Sequence, residues 1–260
     1  MTRPDPAVQD RQSPNQAALK RELAALAAPG ALQQALRRRD GDRQIQRIYL
    51  MGCGRSGTWL LTALMSTFDG CQLVPKELPV EAFGVIAPQQ ATLVLKRNLT
   101  AYEAIERIPD PIHIVYIIRH PFDVLTSVNP VHPGGPGTYY ITPARWLGET
   151  MALQYLKDTQ RPNTLVVRYE DLVQDPDRVQ QQLAQHFKLG VKAAAQDVDA
   201  VFDAPPEARL AMHGLRKIDR QSLYTYRQSE SKLQYLRSIR PRLGRLLDWV
   251  SETYAYDIGL

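Results

Sequence analysis

Residues 52–58 read Gly-Cys-Gly-Arg-Ser-Gly-Thr, after a short apolar run at 48–51 and before an apolar helical pattern at 59–68. A glycine-rich turn between a strand and a helix aims several backbone N–H groups at one point, and the helix N-terminus adds partial positive charge. Glycines also let the backbone approach phosphate oxygens without a side-chain clash. This stretch therefore predicts a phosphate loop in an α/β fold.

The phosphate loop (residues 52–58) differs from that of ATP and GTP hydrolases at its most informative position. Thr58 stands where the pattern G-x-x-x-x-G-K-[ST] requires lysine, and Trp59 takes the place of the hydroxyl that binds magnesium. The apolar run at 112–118 ends in Arg119 and not in an acid. Since Arg55 is the cation within the loop, we expect it to bind a phosphate-like group without an obligatory metal. A glycine turn without a ligand is the alternative.

Apolar runs alternate with helical patterns along the rest of the chain. Such alternation favours a parallel sheet covered by helices on both faces. We therefore expect a three-layer α/β/α fold with a central, mostly parallel sheet of the phosphate-loop, nucleotide-binding type. An N-terminal tail and helix would occupy residues 1–44, and a single α/β domain residues 45–260. The predicted strands are 48–51, 92–95, 112–118 and 164–167, and the predicted helices are 16–39 with a break at 29–30, 59–68, 100–108, 122–128, 144–159, 179–187 and one around 243–250.

A second anion site is predicted where the run at 112–118 ends. Arg119 would point into the crevice at the carboxyl edge of the sheet, where such folds bind ligands. Ser127, about two turns into the next helix, would supply a hydroxyl to the same anion. An arginine fork suits a phosphate well. Two anion sites on adjacent strand ends predict a nucleotide phosphorylated on both sides of its ribose.

Composition excludes several other classes of function. The chain has 260 residues, of which 44% are hydrophobic and 23% charged, and a net charge of +5. No apolar run approaches the roughly 20 residues that span a bilayer, and residues 1–10 have no signal-peptide core, so we expect a cytoplasmic protein. Two cysteines make neither a disulfide framework nor a thiolate zinc site, and we expect no metal. No nucleic-acid-binding motif accompanies the positive charge.

These segments resemble the sulfotransferase family, in particular its bacterial and carbohydrate-type members. Residues 48–61 resemble its 5′-phosphosulfate loop, 115–127 its 3′-phosphate motif, and 166–173 its Arg-Tyr-Glu-Asp-Leu strand end. The resemblance runs in the same order through residues 45–190. It implies 3′-phosphoadenylyl sulfate (PAPS) as cosubstrate and adenosine 3′,5′-bisphosphate (PAP) as product.

The resemblance also implies where this nucleotide binds. Arg119 and Ser127 would hold the 3′-phosphate, and Tyr169 would lie near the adenine. A late basic segment would close the 3′-phosphate site, either at Arg220 or at 216–217. The 5′-phosphosulfate would be held by the loop residues Gly54, Arg55, Ser56, Gly57 and Thr58, with Trp59 beside them in place of the commoner second threonine.

Three residues are candidates for the transfer chemistry, which needs a base for the acceptor proton and cations for the leaving oxygen. Glu77, in Val-Pro-Lys-Glu-Leu-Pro, resembles the catalytic glutamate of carbohydrate-modifying members and is our candidate base, with Glu81 as the alternative. Arg55 would face the bridging oxygen. Lys96, at the end of the run 92–95, would contact the sulfonate.

The expected activity is transfer of a sulfonyl group from PAPS to a hydroxyl, with an amine as the alternative. The acceptor stays open among a carbohydrate, a lipid-linked sugar, a small phenol and a peptide, as does the oligomeric state. Two other functions remain at this point. One is a nucleotide kinase or nucleoside triphosphatase, and the other is a nucleotide-binding protein without catalysis.

Overall fold

The computed structural model describes residues 14–41, 43–98, 102–128, 138–212, 218 and 220–260. Its internal contacts divide these residues into two compact units. The first takes in the described residues up to Gln44 together with Glu81–Ala87, and the second takes in Ile45–Val80 and Pro88–Leu260.

The first unit contains helices α1 (Pro14–Leu26) and α2 (Ala31–Asp40). The break expected at 29–30 is present, because Gly30 adopts a left-handed conformation with φ 75° just before α2. Leu32 and Leu36 of α2 are buried. Gly84 has no side chain, and a Cβ there would lie 2.8 Å from Leu26 Cδ1, so the glycine allows this close packing.

The second unit is built on a sheet in which the five described strands all run parallel, in the order β2-β3-β1-β4-β5. This confirms the predicted α/β class. The strands are β1 (Gln46–Gly52), β2 (Cys71–Leu78), β3 (Thr92–Arg97), β4 (Ile112–Ile118) and β5 (Thr164–Arg168).

Helices cover both faces of this sheet. They are α3 (Thr58–Met65), α4 (Pro121–Leu125), α5 (Pro143–Asp158), α6 (Tyr169–Gln174), α7 (Pro176–Phe187), α8 (Val198–Val201), α9 (Pro206–Ala211) and α10 (Glu230–Tyr254), which is interrupted at Gly244. Short 3₁₀ segments lie at Val80–Gly84, Tyr102–Arg107, Ala195–Asp197 and Thr225–Gln228.

Successive side chains along the central strands point to opposite faces of the sheet, so each face packs against its own set of helices. Ile48 of β1 and Val115 of β4 share one buried cluster with Leu61 of α3 and Leu183 of α7. On the opposite face, the hydroxyl of Tyr116 donates to a backbone carbonyl of α5, and α10 packs on α5. The largely apolar central strands are thus buried between two helical layers.

Two local predictions were wrong. Residues 71–78, which are not among the predicted strands, form edge strand β2 and include Glu77; Pro75 is tolerated at a sheet edge, and the register shifts between Val74 and Glu77. Helix α4 ends at Leu125, so Ser127 follows the helix and does not lie within it. The first two residues of the predicted helix 100–108 lie outside the described residues.

No helix in the described part of the chain is both long and apolar enough to cross a bilayer.

Candidate functional site

The phosphate loop joins β1 to α3 in a conformation that depends on glycine at both ends. Gly52 has φ 152°, and a Cβ there would lie 2.5 Å from the carbonyl oxygen of Ile117 in β4. Within the loop, Ser56 is buried, and both its backbone N–H and its hydroxyl donate to the Cys53 carbonyl, at 3.1 and 2.6 Å. These two hydrogen bonds hold the turn closed.

Gly57 precedes α3 and lies directly against the ring of Tyr169. Its φ is 95°, and a Cβ would come within 2.3 Å of Tyr169 Cδ2. Tyr169 in turn donates to, or accepts from, the hydroxyl of Ser222 at 2.6 Å. The loop, the start of α6 and the segment around 222 are therefore packed together around the N-terminus of α3.

Arg55 is the positively charged residue of the phosphate loop. It adopts a left-handed φ of 69°, which is uncommon for a residue with a side chain. Its Nη1 donates to the Ala211 carbonyl at 3.3 Å, while its Nε is buried without a hydrogen-bond partner among the described residues. Burial lowers the pKa of Arg55, and the positive charge of Arg119 lowers it further. Both effects would be relieved by a bound anion.

Arg119 follows the carboxyl end of β4, and its side chain reaches the same part of the site as Arg55. Its Nη1 donates to the Arg55 carbonyl at 3.1 Å and its Nη2 to the Ser222 carbonyl, while its guanidinium lies 4.5 Å from the centre of the Tyr169 ring. Asp123 Oδ2 is 3.7 Å from Nη2. The Arg119 Nε is buried and has no hydrogen-bond partner in the described part of the chain. The side chain is thus fixed through its two Nη groups, and its Nε–H is available to an anion.

These residues surround one cavity of about 430 Å³. Seven of the predicted site residues line it, namely Arg55, Gly57, Thr58, Trp59, Arg119, Ser127 and Tyr169. Its other walls include the apolar side chains of Val173, Ala211, Met212 and Ile218 and the polar ones of Ser222, Thr225 and Lys232. The two predicted anion sites therefore open into a common space with an apolar wall.

Some predicted site residues are not brought to this cavity. Gly54 lies beneath the side chains of Ile141 and Tyr140, and Ser56 is buried within the loop. Arg220 is exposed and donates to the Gln174 carbonyl at 3.1 Å. Residues 216–217 lie outside the described part of the chain. Among the described residues, the late basic residue on the cavity wall is Lys232 of α10, which the sequence does not single out because it falls on a long amphipathic helix.

The candidate base and the candidate sulfonate contact form an ion pair beside the cavity. Glu77 Oε1 accepts from Lys96 Nζ across neighbouring strands β2 and β3, and Lys96 Nζ lies 4.5 Å from the centre of the Trp59 ring. Glu77 is about one-third exposed, whereas Lys96 is almost buried. Burial lowers the pKa of Lys96, although Glu77 opposes the shift. Glu81 belongs to the first unit.

A buried ion pair that the sequence did not indicate contacts the start of the phosphate loop. Arg97 Nη2 contacts both carboxylate oxygens of Glu149 at 2.5 Å and donates to the Gly52 carbonyl at 2.9 Å. Burial disfavours the charged Arg97, but attraction to Glu149 outweighs it and raises the pKa of Arg97. A fixed cation therefore holds the carbonyl where β1 enters the loop.

Comparisons with known proteins identify solved structures that share the fold of this chain. No family model and no curated protein matches the chain. Among solved structures, a sulfotransferase domain from the curacin biosynthetic pathway matches with a TM-score of 0.55 at 15% identity, over 76% of this chain and 99% of that domain. A sulfotransferase domain from the Synechococcus PCC 7002 olefin synthase matches with a TM-score of 0.60 at 17% identity, over 85% of this chain and 98% of that domain. The protein therefore has the fold of these sulfotransferase domains, as the sequence resemblance implied.

Proposed function

We propose that the protein is a sulfotransferase that moves the sulfonyl group of PAPS to the hydroxyl of an acceptor. The observation that carries this proposal is that Arg55 and the phosphate loop share one cavity with Arg119 and Ser127. A nucleotide with phosphates on both sides of its ribose needs two such anion sites a short distance apart. The fold shared with domains named as sulfotransferases supports the same function.

The side chains around the cavity fit this nucleotide. Arg55 and Arg119 each keep a buried Nε without a partner among the described residues, and buried donors of this kind are normally satisfied. The ring of Tyr169 and the apolar wall at Val173 and Met212 offer a surface for a flat base. A magnesium-dependent triphosphatase fits less well, because Thr58 replaces the loop lysine.

In the proposed reaction, each residue has a separate task. Glu77 accepts the proton of the acceptor hydroxyl as its oxygen attacks sulfur, and the bond from sulfur to the bridging phosphate oxygen breaks. Arg55 steadies the charge that develops on the departing phosphate. Lys96 holds the Glu77 side chain in place through their ion pair and contacts the sulfonate. A carbohydrate hydroxyl is one acceptor that suits this chemistry.

Calorimetry tests the class of nucleotide. We expect the protein to bind PAP tightly without added metal, and to show no binding of ATP with magnesium, because the loop lacks the lysine that ATP requires. Sulfonyl transfer from PAPS to a panel of hydroxyl acceptors would then be measured. Binding of ATP with magnesium and not of PAP would reject the proposal in favour of a triphosphatase.

Replacing Arg119 with alanine tests the second anion site. We expect the affinity for PAP to fall by roughly 1.5–3 kcal/mol, the usual cost of losing a hydrogen bond to a charged group. Adenosine 5′-phosphate, which lacks the 3′-phosphate, should lose much less. Arg178→Ala, which removes a largely exposed arginine of α7, serves as the control. If Arg119→Ala weakens both nucleotides equally, Arg119 does not read the 3′-phosphate.

A further inference from the structure

His120 connects the end of β4 to the segment that follows α10. It comes directly after Arg119, is fully buried, and begins α4, where its Nδ1 accepts from the backbone N–H of Phe122 at 3.2 Å. Because Nδ1 is an acceptor, the ring proton is on Nε2, which donates to the backbone carbonyl of Asp257 at 2.8 Å. This arrangement requires a neutral ring, since a second proton on Nδ1 would face the Phe122 N–H.

Residues 256–257, which we call the α10 strap, are held at further points. The hydroxyl of Tyr256 donates to Glu170 Oε2 at 2.8 Å, and Glu170 Oε1 accepts from the backbone N–H of His120 at 2.8 Å. The guanidinium of Arg168, the last residue of β5, lies 4.9 Å from the centre of the Tyr256 ring. The α10 strap therefore joins the carboxyl ends of the neighbouring strands β4 and β5.

The ring of His120 also packs against the turn that forms part of the cavity wall. It stacks on Tyr226 with ring centres 5.0 Å apart, and Tyr224 meets it edge-on at 5.6 Å. Asp123 fixes the same turn, since it accepts from the Tyr224 N–H at 2.7 Å and from the Thr225 hydroxyl at 3.0 Å. Thr225 lines the nucleotide cavity, so a shift of the His120 ring would move that wall.

We infer that His120 is a positioning residue of the nucleotide site, and that its neutral ring holds the α10 strap closed across the ends of β4 and β5. A second ring proton repels the Phe122 N–H and turns the ring away from both of its partners. The strap is then released, and Arg119 loses a fixed neighbour. This inference adds a proton-sensitive control to the proposed function and rests on that function only for its ligand, PAP.

The surroundings of the ring set the direction of the pH dependence. The charged groups nearest to it include Asp123 of α4, Glu170 of α6, Arg227 of the 3₁₀ segment and Asp257 of the strap. Burial lowers the pKa of His120; the Asp257 carbonyl and the two aspartates oppose the shift, and Arg227 adds to it. The unfolded chain therefore binds more protons at this residue. The strap is fully stabilised above about pH 6.5 and loses this stabilisation as the pH falls toward the lowered pKa.

Two variants of His120 separate its two hydrogen bonds. His120→Gln has an amide that reaches the Asp257 carbonyl and does not titrate, whereas His120→Asn keeps an acceptor for the Phe122 N–H but is too short to reach Asp257. Calorimetry measures the affinity for PAP between about pH 5.5 and 8. Mass spectrometry measures hydrogen exchange in the strap at the same pH values. His186→Gln, which removes an exposed histidine of α7, is the control.

The expected results differ between the variants. Above about pH 7, His120→Gln should bind PAP within about threefold of the wild type, and His120→Asn should bind it about threefold to tenfold more weakly and exchange faster in the strap. The phosphates of PAP titrate near about pH 6 in every variant. As the pH falls, the wild type and His186→Gln should therefore lose at least about threefold more affinity than His120→Gln, because His120 adds its own titration.

The outcomes separate the inference from the function on which it rests. If the wild type and His120→Gln show the same dependence on pH, in both affinity and exchange, His120 does not control the site. If the wild type does not bind PAP, the proposed function fails, whereas hydrogen exchange still decides whether a neutral His120 holds the strap. Release of the strap at low pH in the wild type but not in His120→Gln supports the inference.

Discussion

Replacing Glu77 with glutamine should lower sulfonyl transfer from PAPS roughly 10²- to 10⁴-fold, the range that a positioned general base contributes. Glutamine keeps the size of the side chain and its place beside Lys96, but it cannot accept the proton of an attacking hydroxyl. The affinity for PAP should stay within about twofold, because Glu77 is not among the residues that line the nucleotide cavity. Turnover and PAP affinity are measured by product formation and by calorimetry.

The control for Glu77→Gln removes a carboxylate of no proposed function. Glu207 is exposed on α9, so Glu207→Gln should leave both turnover and affinity unchanged. A second arm, Lys96→Met, removes the cation that holds Glu77 and should also lower turnover, although it leaves the base in place. If Glu77→Gln turns over normally, another residue is the base, and Glu81→Gln is the next variant to measure.

The sequence predicted the positions of those site residues that lie next to a recognisable strand. The phosphate loop, Arg119 and Tyr169 each follow a strand whose apolar run is visible in the sequence, so their positions at the carboxyl edge of the sheet follow from parallel topology alone. Ser127 lines the cavity even though α4 ends at Leu125 and not at 128 as predicted, because Ser127 is only eight residues from Arg119.

The parts that were missed depend on contacts between distant segments. Arg97 and Glu149 are 52 residues apart, and nothing in either segment indicates that the two side chains meet. Lys232 is one of many basic residues on α10 and is distinguished only by the turn at 224–226 that Asp123 holds. Strand β2 was hidden because Pro75 and two charged residues interrupt its apolar pattern, which only an edge strand tolerates.

The buried pair of Arg97 and Glu149 gives the largest expected effect on stability. Glu149→Gln should lower the free energy of unfolding by about 3–5 kcal/mol, because it leaves an uncompensated cation in the interior. Both side chains are almost completely buried. The exposed pair of Arg237 and Glu230 is the matched control, and Glu230→Gln should cost less than about 1 kcal/mol. Urea unfolding, with the midpoint and slope compared between variants, measures both.

A double variant separates stability from the positioning of the loop. Arg97→Met combined with Glu149→Met removes both charges, and we expect it to recover most of the stability lost in Glu149→Gln, because well-packed apolar pairs often replace buried ion pairs at no cost. It also removes the hydrogen bond from Arg97 to the Gly52 carbonyl, so the affinity for PAP should remain lowered, roughly tenfold below the wild type. Recovery of stability without recovery of affinity would show that the pair positions the phosphate loop. Recovery of both would show that the loop keeps its shape without Arg97, and that the glycines at 52 and 57 are sufficient to define it.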